Sequence, residues 1–226
     1  MKHLIPLMMA SSLLVACGSD SDSDGSSNPK LPAFSFASGQ NSQASAFSAK
    51  GQGIMSGLQQ ELDQLGDANY AKSGGKETWT YRNGNAFLTF EYVDGSGQDT
   101  WKIILDGEDD GEFYNNWVVT KITQNDDGDS GSIETYYDGK TQIESRLEMS
   151  EDRLLVEEYN EDGGTSEKAL ILSESETKGR MLVQSGSEPF SGVTWDNDLV
   201  VTYSNCSGTF NAAETADLAV ICETAQ

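Results

Sequence analysis

Pairs in which Asp or Asn precedes Gly recur along the chain after Lys76, and their spacing constrains the fold more than any other feature. The pairs are Asn83-Gly84, Asp94-Gly95, Asp106-Gly107, Asp127-Gly128, Asp138-Gly139 and Asp162-Gly163, separated by 11, 12, 21, 11 and 24 residues. Both residues of such a pair tolerate positive φ, so each pair is a strong signal for a β-hairpin. The sequence therefore predicts a mainly β (α+β) fold, built as an antiparallel meander of about 9–11 strands.

The segments between these turns predict the strands. Strands are expected at 77–82, 87–93, 100–105, 113–123, 132–137, 141–149, 153–159, 167–172, 180–184, 199–204 and 218–222. The two long gaps predict a reversal near Asn115-Asn116 or one extra-long strand there, and a further reversal at 150–152. Because twist accumulates across so many strands, we expect the sheet to curl into a half-barrel or a barrel.

One amphipathic helix is predicted before the sheet, at 53–66. Its apolar residues Ile54, Leu58, Leu62 and Leu65 recur at helical spacing, and Gly66 is a natural C-terminal stop. A helix that binds a partner or a membrane surface is the alternative. The polar face carries no cation, which is unlike a membrane-surface helix, so we expect this helix to pack on the sheet of the same chain.

The N-terminus begins with Lys2 and continues as an apolar run of 13 residues from Leu4 to Ala16. This run is too short to span a bilayer, which needs about 20 residues, but it suits a signal peptide. The motif Leu14-Val15-Ala16-Cys17 resembles the lipobox of bacterial lipoproteins. The resemblance implies cleavage before Cys17 and acylation of that cysteine, and Gly18 after it implies an outer-membrane destination.

This organisation divides the chain into a signal peptide at 1–16, a lipidated cysteine with a flexible Ser/Gly/Asp tether at 17–46, and one globular domain at 47–226. Phe34, Phe36 and Phe47 are expected to dock the end of the tether onto the domain.

Exported proteins meet an oxidising compartment, so Cys206 and Cys222 are expected to form a disulfide that contributes about 3 kcal/mol. A redox pair is the alternative, although CxxC spacing is absent.

The charge and the histidine content exclude several functions. The 226 residues include 37 Asp and Glu against 14 Lys and Arg, a net charge of -23, which disfavours binding to nucleic acid. The only histidine is His3, inside the expected signal peptide. The exported chain would therefore lack imidazole, which excludes Ser-His-Asp and Cys-His catalysis and histidine metal sites.

Two acidic turns are candidate Ca²⁺ sites. Their oxygen ligands would come from Asp106, Glu108 and Asp110 in the first turn and from Asp127 and Asp129 in the second. Neither turn completes the twelve-residue calcium loop, so solvated hairpin tips are the favoured interpretation and no other cofactor is expected.

These observations favour a non-catalytic binding or interaction module in the cell envelope, held on the membrane by acyl chains. The first alternative is a carrier of an apolar ligand or a lipoprotein, by analogy of element order with half-barrels of the LolA/LolB group. The second is a glycan-acting enzyme with a pair of carboxylates, for which Trp79, Trp101, Trp117 and Trp195 could stack on sugars. Three of these tryptophans, Trp79, Trp101 and Trp117, fit strand faces and are expected in the core.

Overall fold

The structure is a computed structural model, and it describes residues 29–32, 34, 42–65, 68–175 and 177–225. These residues form one helix packed on a single open sheet of thirteen strands, in which the strands lie in sequence order. Every neighbouring pair is antiparallel, and a local reversal joins each strand to the next as far as the twelfth, while residues 205–222 connect the twelfth strand to the thirteenth. The predicted antiparallel meander is confirmed, with thirteen strands rather than about 9–11, whereas closure into a barrel is not seen.

The helices are α1 (Ser42–Gln64) and the short α2 (Leu218–Ile221), with one 3₁₀ turn at Ala212–Glu214. The strands are β1 (Asn69–Ser73), β2 (Lys76–Asn83), β3 (Asn85–Val93), β4 (Gln98–Asp109), β5 (Glu112–Asn125), β6 (Gly131–Tyr136), β7 (Ile143–Met149), β8 (Arg153–Tyr159), β9 (Thr165–Ser175), β10 (Lys178–Ser185), β11 (Ser191–Asp196), β12 (Leu199–Ser204) and β13 (Glu223–Thr224).

Five of the six Asx-Gly pairs lie at reversals between consecutive strands, as predicted, and Asp106-Gly107 does not. This pair lies inside β4, and the reversal falls at Asp110-Gly111, where both residues have positive φ (48° and 83°). Gly107 instead forms part of a bulge, with φ of 103°. A Cβ atom there would stand 2.3 Å from the carbonyl oxygen of Asn85, so only glycine fits.

The same bulge decides between the two predictions made for Asn115-Asn116, which were a reversal or one extra-long strand. The two asparagines lie inside β5, which is a single strand of 14 residues, and Asn116 has φ of 48°. The Asn116 N–H donates to Asp106 Oδ1 at 3.1 Å across the bulge. There is therefore no reversal at this position, and the extra-long strand is the correct alternative.

Several element assignments were wrong or incomplete. Residues 218–222 were predicted as a strand but form α2, because the Asp217 side chain caps the Ala219 N–H at 3.0 Å. The strands β1, β11 and β13 were not predicted. The helix α1 begins at Ser42, well before Gly53 and inside the stretch assigned to the tether, while Gly66 lies outside the described residues.

One face of the sheet, called here the inner face, packs against α1. Met55, Leu58 and Leu62 of the helix share one buried cluster with side chains from ten consecutive strands, β2 to β11. Its fully buried members include Ile122, Ile133, Leu147, Leu154 and Ile171. The predicted packing of the helix on the sheet of the same chain is confirmed.

The end of the expected tether also docks on this side. The Gln59 side chain of α1 accepts a hydrogen bond from the Leu31 N–H at 3.1 Å and donates to the Pro29 carbonyl at 3.5 Å. Leu31 and Phe34 pack against the inner cluster, so the docking expected of Phe34 is confirmed. Phe36 lies outside the described residues, and Phe47 lies in α1.

The opposite side, called here the outer face, is partly covered by the C-terminal segment at 205–225. Leu155, Leu170 and Leu182 of the sheet pack there with Phe210 and Leu218 of the segment. The predicted Cys206–Cys222 disulfide is confirmed and closes the segment on itself.

Two arginines of the sheet hold the covering segment in place. Arg153 on β8 pairs with Glu214 at 3.1 Å, and Arg180 on β10 donates to the Ala216 carbonyl at 2.9 Å. The segment thereby covers part of the outer face of β8–β12, while the outer face of β2–β7 lies beyond the segment.

Candidate binding surface

The outer face of β2–β7 presents threonine, lysine and glutamate side chains that are partly exposed. The cross-strand register places seven charged residues in one continuous row across β3–β9, and this set is called here the charged row. Its members, in strand order, are Glu91, Lys102, Lys121, Glu134, Arg146, Glu157 and Lys168, each directly opposite the next. Opposite charges on neighbouring strands stabilise such a row.

Most members of the charged row are held by short ion pairs. Arg146 donates two hydrogen bonds to Glu134 Oε1, at 3.0 and 2.8 Å. Lys168 lies 3.1 Å from Glu157, and Lys76, outside the row, lies 2.9 Å from Glu91. The three glutamates of the row are therefore each engaged by one cation at close range.

The alternation of charge breaks at one place, where Lys102 on β4 is directly opposite Lys121 on β5. Their nearest carboxylates are longer contacts, 3.7 Å from Lys102 to Glu91 and 3.8 Å from Lys121 to Glu134. Both distances are longer than a hydrogen bond. Both side chains are more than a third exposed (37% and 38%), so two adjacent cations face solvent.

Two tyrosines flank Arg146 and hold the glutamates of the row. The Tyr136 hydroxyl donates to Glu134 at 2.9 Å, and the Tyr159 hydroxyl donates to Glu157 at 2.8 Å. Burial, together with the neighbouring carboxylate, raises the pKa of each tyrosine to about 12. Both phenols are therefore neutral hydrogen-bond donors at physiological pH.

Glu157 is the most constrained carboxylate of the row. Burial alone would raise its pKa, but hydrogen bonds from Tyr159 and Lys168 outweigh burial and lower the pKa below the ordinary value. The carboxylate is 13% exposed and remains charged at neutral pH.

Two exposed aromatic side chains lie at one end of the open outer face. Phe87 on β3 is 42% exposed and Phe113 on β5 is 79% exposed. The Arg82 guanidinium lies 5.9 Å from the Phe87 ring centre. Both rings are therefore open to solvent on this face.

Two grooves lie near the β10–β12 end of the sheet. One, of about 380 Å³, lies beside α1 on the inner face and is lined by Ala46, Met181, Val183, Val193 and Thr202, among others. The other, of about 430 Å³, is lined by polar residues including Arg180, Thr194 and Asp217. Trp195 borders this second groove, and its indole N–H has no partner among the described residues.

The structure does not bring the candidate calcium ligands together. Asp106 and Glu108 lie on β4 and Asp110 lies in the following turn, whereas Asp127 and Asp129 lie in the turn at the other end of β5. Asp129 Oδ1 instead accepts a hydrogen bond from Asn125 at 2.5 Å. Among the described residues, no three Asp, Glu, His or Cys side chains are grouped as a metal site requires.

Of the three tryptophans expected in the core, Trp79 and Trp101 pack against the inner cluster and Trp117 is half-buried. Trp195, for which no core position was predicted, is the buried one. Trp117 stacks on Tyr114 and donates from its indole to the Lys140 carbonyl at 3.0 Å. The lipidation residue Cys17 lies outside the described residues.

The charged row was not found from the sequence. Each member lies on the polar side of its own strand, but a row forms only when the register of seven strands is known. The alternation of polar residues in β7 indicated a solvent-facing side and could not show which charges on other strands would lie opposite.

No protein-family model matches the chain, and neither curated proteins nor solved structures give a significant match. Within the part of the chain that the structure describes, no helix has the length and apolar character needed to cross a membrane.

Proposed function

We propose that this chain is an outer-membrane-anchored lipoprotein that acts as a non-catalytic binding module of the cell envelope. The observation that carries the proposal is the difference between the two faces of the sheet. Side chains of α1 fill the inner face along its centre, where Leu62 and Leu147 are fully buried. The outer face of β2–β7 offers an extended polar surface with two exposed aromatic residues, which suits contact with a large partner.

Anchoring is supported by the lipobox and by the docked segment at 29–34. Acylation at Cys17 would leave residues 17–28 as the tether, because the chain docks on α1 from Pro29. Twelve residues of Ser/Gly-rich composition have a root-mean-square reach of about 20 Å. The domain would stand close to the membrane, with its helix side nearer the anchor.

A half-barrel is the shape that the packing favours. A single helix shares one buried cluster with ten consecutive strands. In a flat sheet, the outermost of these strands would lie far from the helix axis. Neighbouring strands are rotated by about 20–25° relative to one another, so a sheet of this size curves readily around a central element. We infer that the sheet curls around α1, with its outer face convex.

The proposal is tested by a photo-cross-linking amino acid placed at Thr89 on the outer face, with Thr202 beside the inner groove as the matched position. In intact cells we expect adducts at position 89 and none at position 202. Adducts at position 202 alone would show that the inner side is the working surface.

A carrier of apolar ligands is the second candidate, because the groove beside α1 is lined by Met181, Val183 and Val193. A carrier would need this groove to extend under the helix, so α1 would move as a lid. An apolar molecule that co-purifies with the chain and is displaced in the variant Val183→Arg would support this candidate over the first.

A further inference from the structure

We propose that the open outer face binds an acidic polysaccharide, with Lys102 and Lys121 as the central contact to its anionic groups. This inference rests on the proposed function, since it names the ligand class of the same surface. The two lysines lie directly opposite each other on β4 and β5. Like charges placed directly opposite destabilise a sheet, and a bound anion between them removes that cost.

The local charge is opposite to that of the whole chain. The charged row and Lys76 together comprise five basic and three acidic side chains, whereas the chain carries 37 acidic residues against 14 basic ones. At physiological salt, charges more than about 8 Å away are largely screened. A bound anion therefore responds mainly to the lysines beside it.

The spacing of the cations suits a linear polymer with well-separated charges. Lys121, Arg146 and Lys168 lie on alternate strands β5, β7 and β9 in one row, with Glu134 and Glu157 between them, each neutralised by a cation of the row. Strands are about 4.8 Å apart, so successive cations are separated by about 10 Å along the row. Nucleic acid has a much denser charge, one per about 1.7 Å, and the acidic body would repel it more strongly.

The surroundings of Lys102 and Lys121 favour a saccharide over other polyanions. Thr89 and Thr100 lie on the same face, are partly exposed and carry hydroxyl groups, while the cross-strand neighbours of both lysines are charged residues rather than the apolar anchors that dominate protein interfaces. The docked segment at 29–34 leaves from the opposite side of the sheet, so the row faces away from the anchor and its membrane.

The experiment measures binding of polygalacturonate oligomers to the full chain, with the fully methyl-esterified oligomer as the uncharged control. Lys102→Gln with Lys121→Gln should weaken binding at least tenfold, and Lys102→Arg with Lys121→Arg should retain it. The matched control, Lys72→Gln with Lys178→Gln, removes the same charge from exposed lysines outside the row and should change affinity less than twofold. Binding should weaken as salt is raised.

The inference is overturned if polygalacturonate fails to bind at low salt, if the esterified oligomer binds equally, or if the control variant loses the same affinity. Tighter binding of poly-glutamate than of polygalacturonate would assign the surface to an acidic protein segment instead. In any of these cases, adducts at position 89 in cells would leave the proposed binding module standing. Absence of both polygalacturonate binding and adducts would remove both proposals.

Discussion

Gly179 on β10 and Trp195 on β11 are directly opposite each other, and the indole ring lies over the glycine. A Cβ atom at position 179 would stand 2.5 Å from Trp195 Cζ2 and 2.5 Å from the Leu172 carbonyl oxygen. Because backbone bounds the site on one side and a buried ring on the other, neither neighbour can yield at low cost. Only glycine at position 179 therefore leaves room for the Trp195 ring to pack in the inner cluster.

Gly179→Ala is expected to lower the free energy of unfolding by about 1–3 kcal/mol, the usual cost of overpacking a core. Urea denaturation followed by tryptophan fluorescence measures the change. An unaltered midpoint would show that Trp195 does not lie over this glycine.

Gly53→Ala and Gly57→Ala in α1 are expected to raise stability by about 0.5–1 kcal/mol each. A Cβ atom at either position meets no atom within 4 Å, and alanine loses less conformational freedom than glycine on entering a helix. Thermal unfolding followed by circular dichroism measures the gain. If both variants were destabilised, α1 would not be a continuous helix with these positions facing open space.

Replacing Cys206 and Cys222 by serine is expected to lower the free energy of unfolding by about 3 kcal/mol, because the disulfide restricts the unfolded chain. Loss of the bridge also loosens the segment that covers Leu170 and Leu182. Denaturant unfolding of the oxidised chain and of the double variant gives the difference.

A thiol titration of the denatured, unreduced chain provides the matching control. The account predicts no titratable thiol, since the disulfide occupies two cysteines and acylation would occupy Cys17. One thiol would contradict the proposed lipidation, and three would contradict the disulfide as well.

Glu157→Gln is expected to lower stability at pH 7 by about 1.5–3 kcal/mol, because the carboxylate accepts hydrogen bonds from Tyr159 and Lys168. The folded pKa of Glu157 lies below the unfolded value of about 4.3, so this stability is present above that pH and is lost as the pH falls through the folded pKa.

The difference between Glu157→Gln and the natural chain should therefore shrink below pH 4 and vanish in stronger acid. Urea midpoints between pH 7 and pH 2 measure this dependence. Glu161→Gln serves as the control, since Glu161 is 73% exposed and its pair with Lys140 contributes only about 0–1 kcal/mol. A constant difference across the whole pH range would contradict the role assigned to the Glu157 charge.

The meander could be predicted because turn chemistry is local. Pairs such as Asp138-Gly139 carry their own signal. Asp106-Gly107 carries the same signal but lies in a bulge, because Asp110-Gly111, four residues later, forms the reversal instead. Short segments were harder to assign: Leu218–Ile221 has the apolar pattern of a strand, but the cap from Asp217 and the disulfide at Cys222 fix it as a helix.

The candidate surface depends on how strands pair with one another, so it could not be predicted from the sequence of each strand alone. Lys102 and Lys121 are 19 positions apart in sequence, and only the pairing of β4 with β5, including its bulge, places them opposite each other. The early turns of α1 were missed for a related reason. Its first residues are rich in Ser and have low helix propensity, and the residues that hold the helix on the sheet, Met55, Leu58 and Leu62, lie farther along.

The most direct test of the account compares the two faces by cysteine labelling of the folded chain with a maleimide. Thr89→Cys and Thr100→Cys report on the outer face, while Val156→Cys and Ile171→Cys report on the inner face, where both residues are at most 2% exposed. The account predicts rapid labelling at positions 89 and 100, and labelling at positions 156 and 171 only after unfolding. Rapid labelling at 156 and 171, with protection at 89 and 100, would contradict a filled inner face and an open outer one.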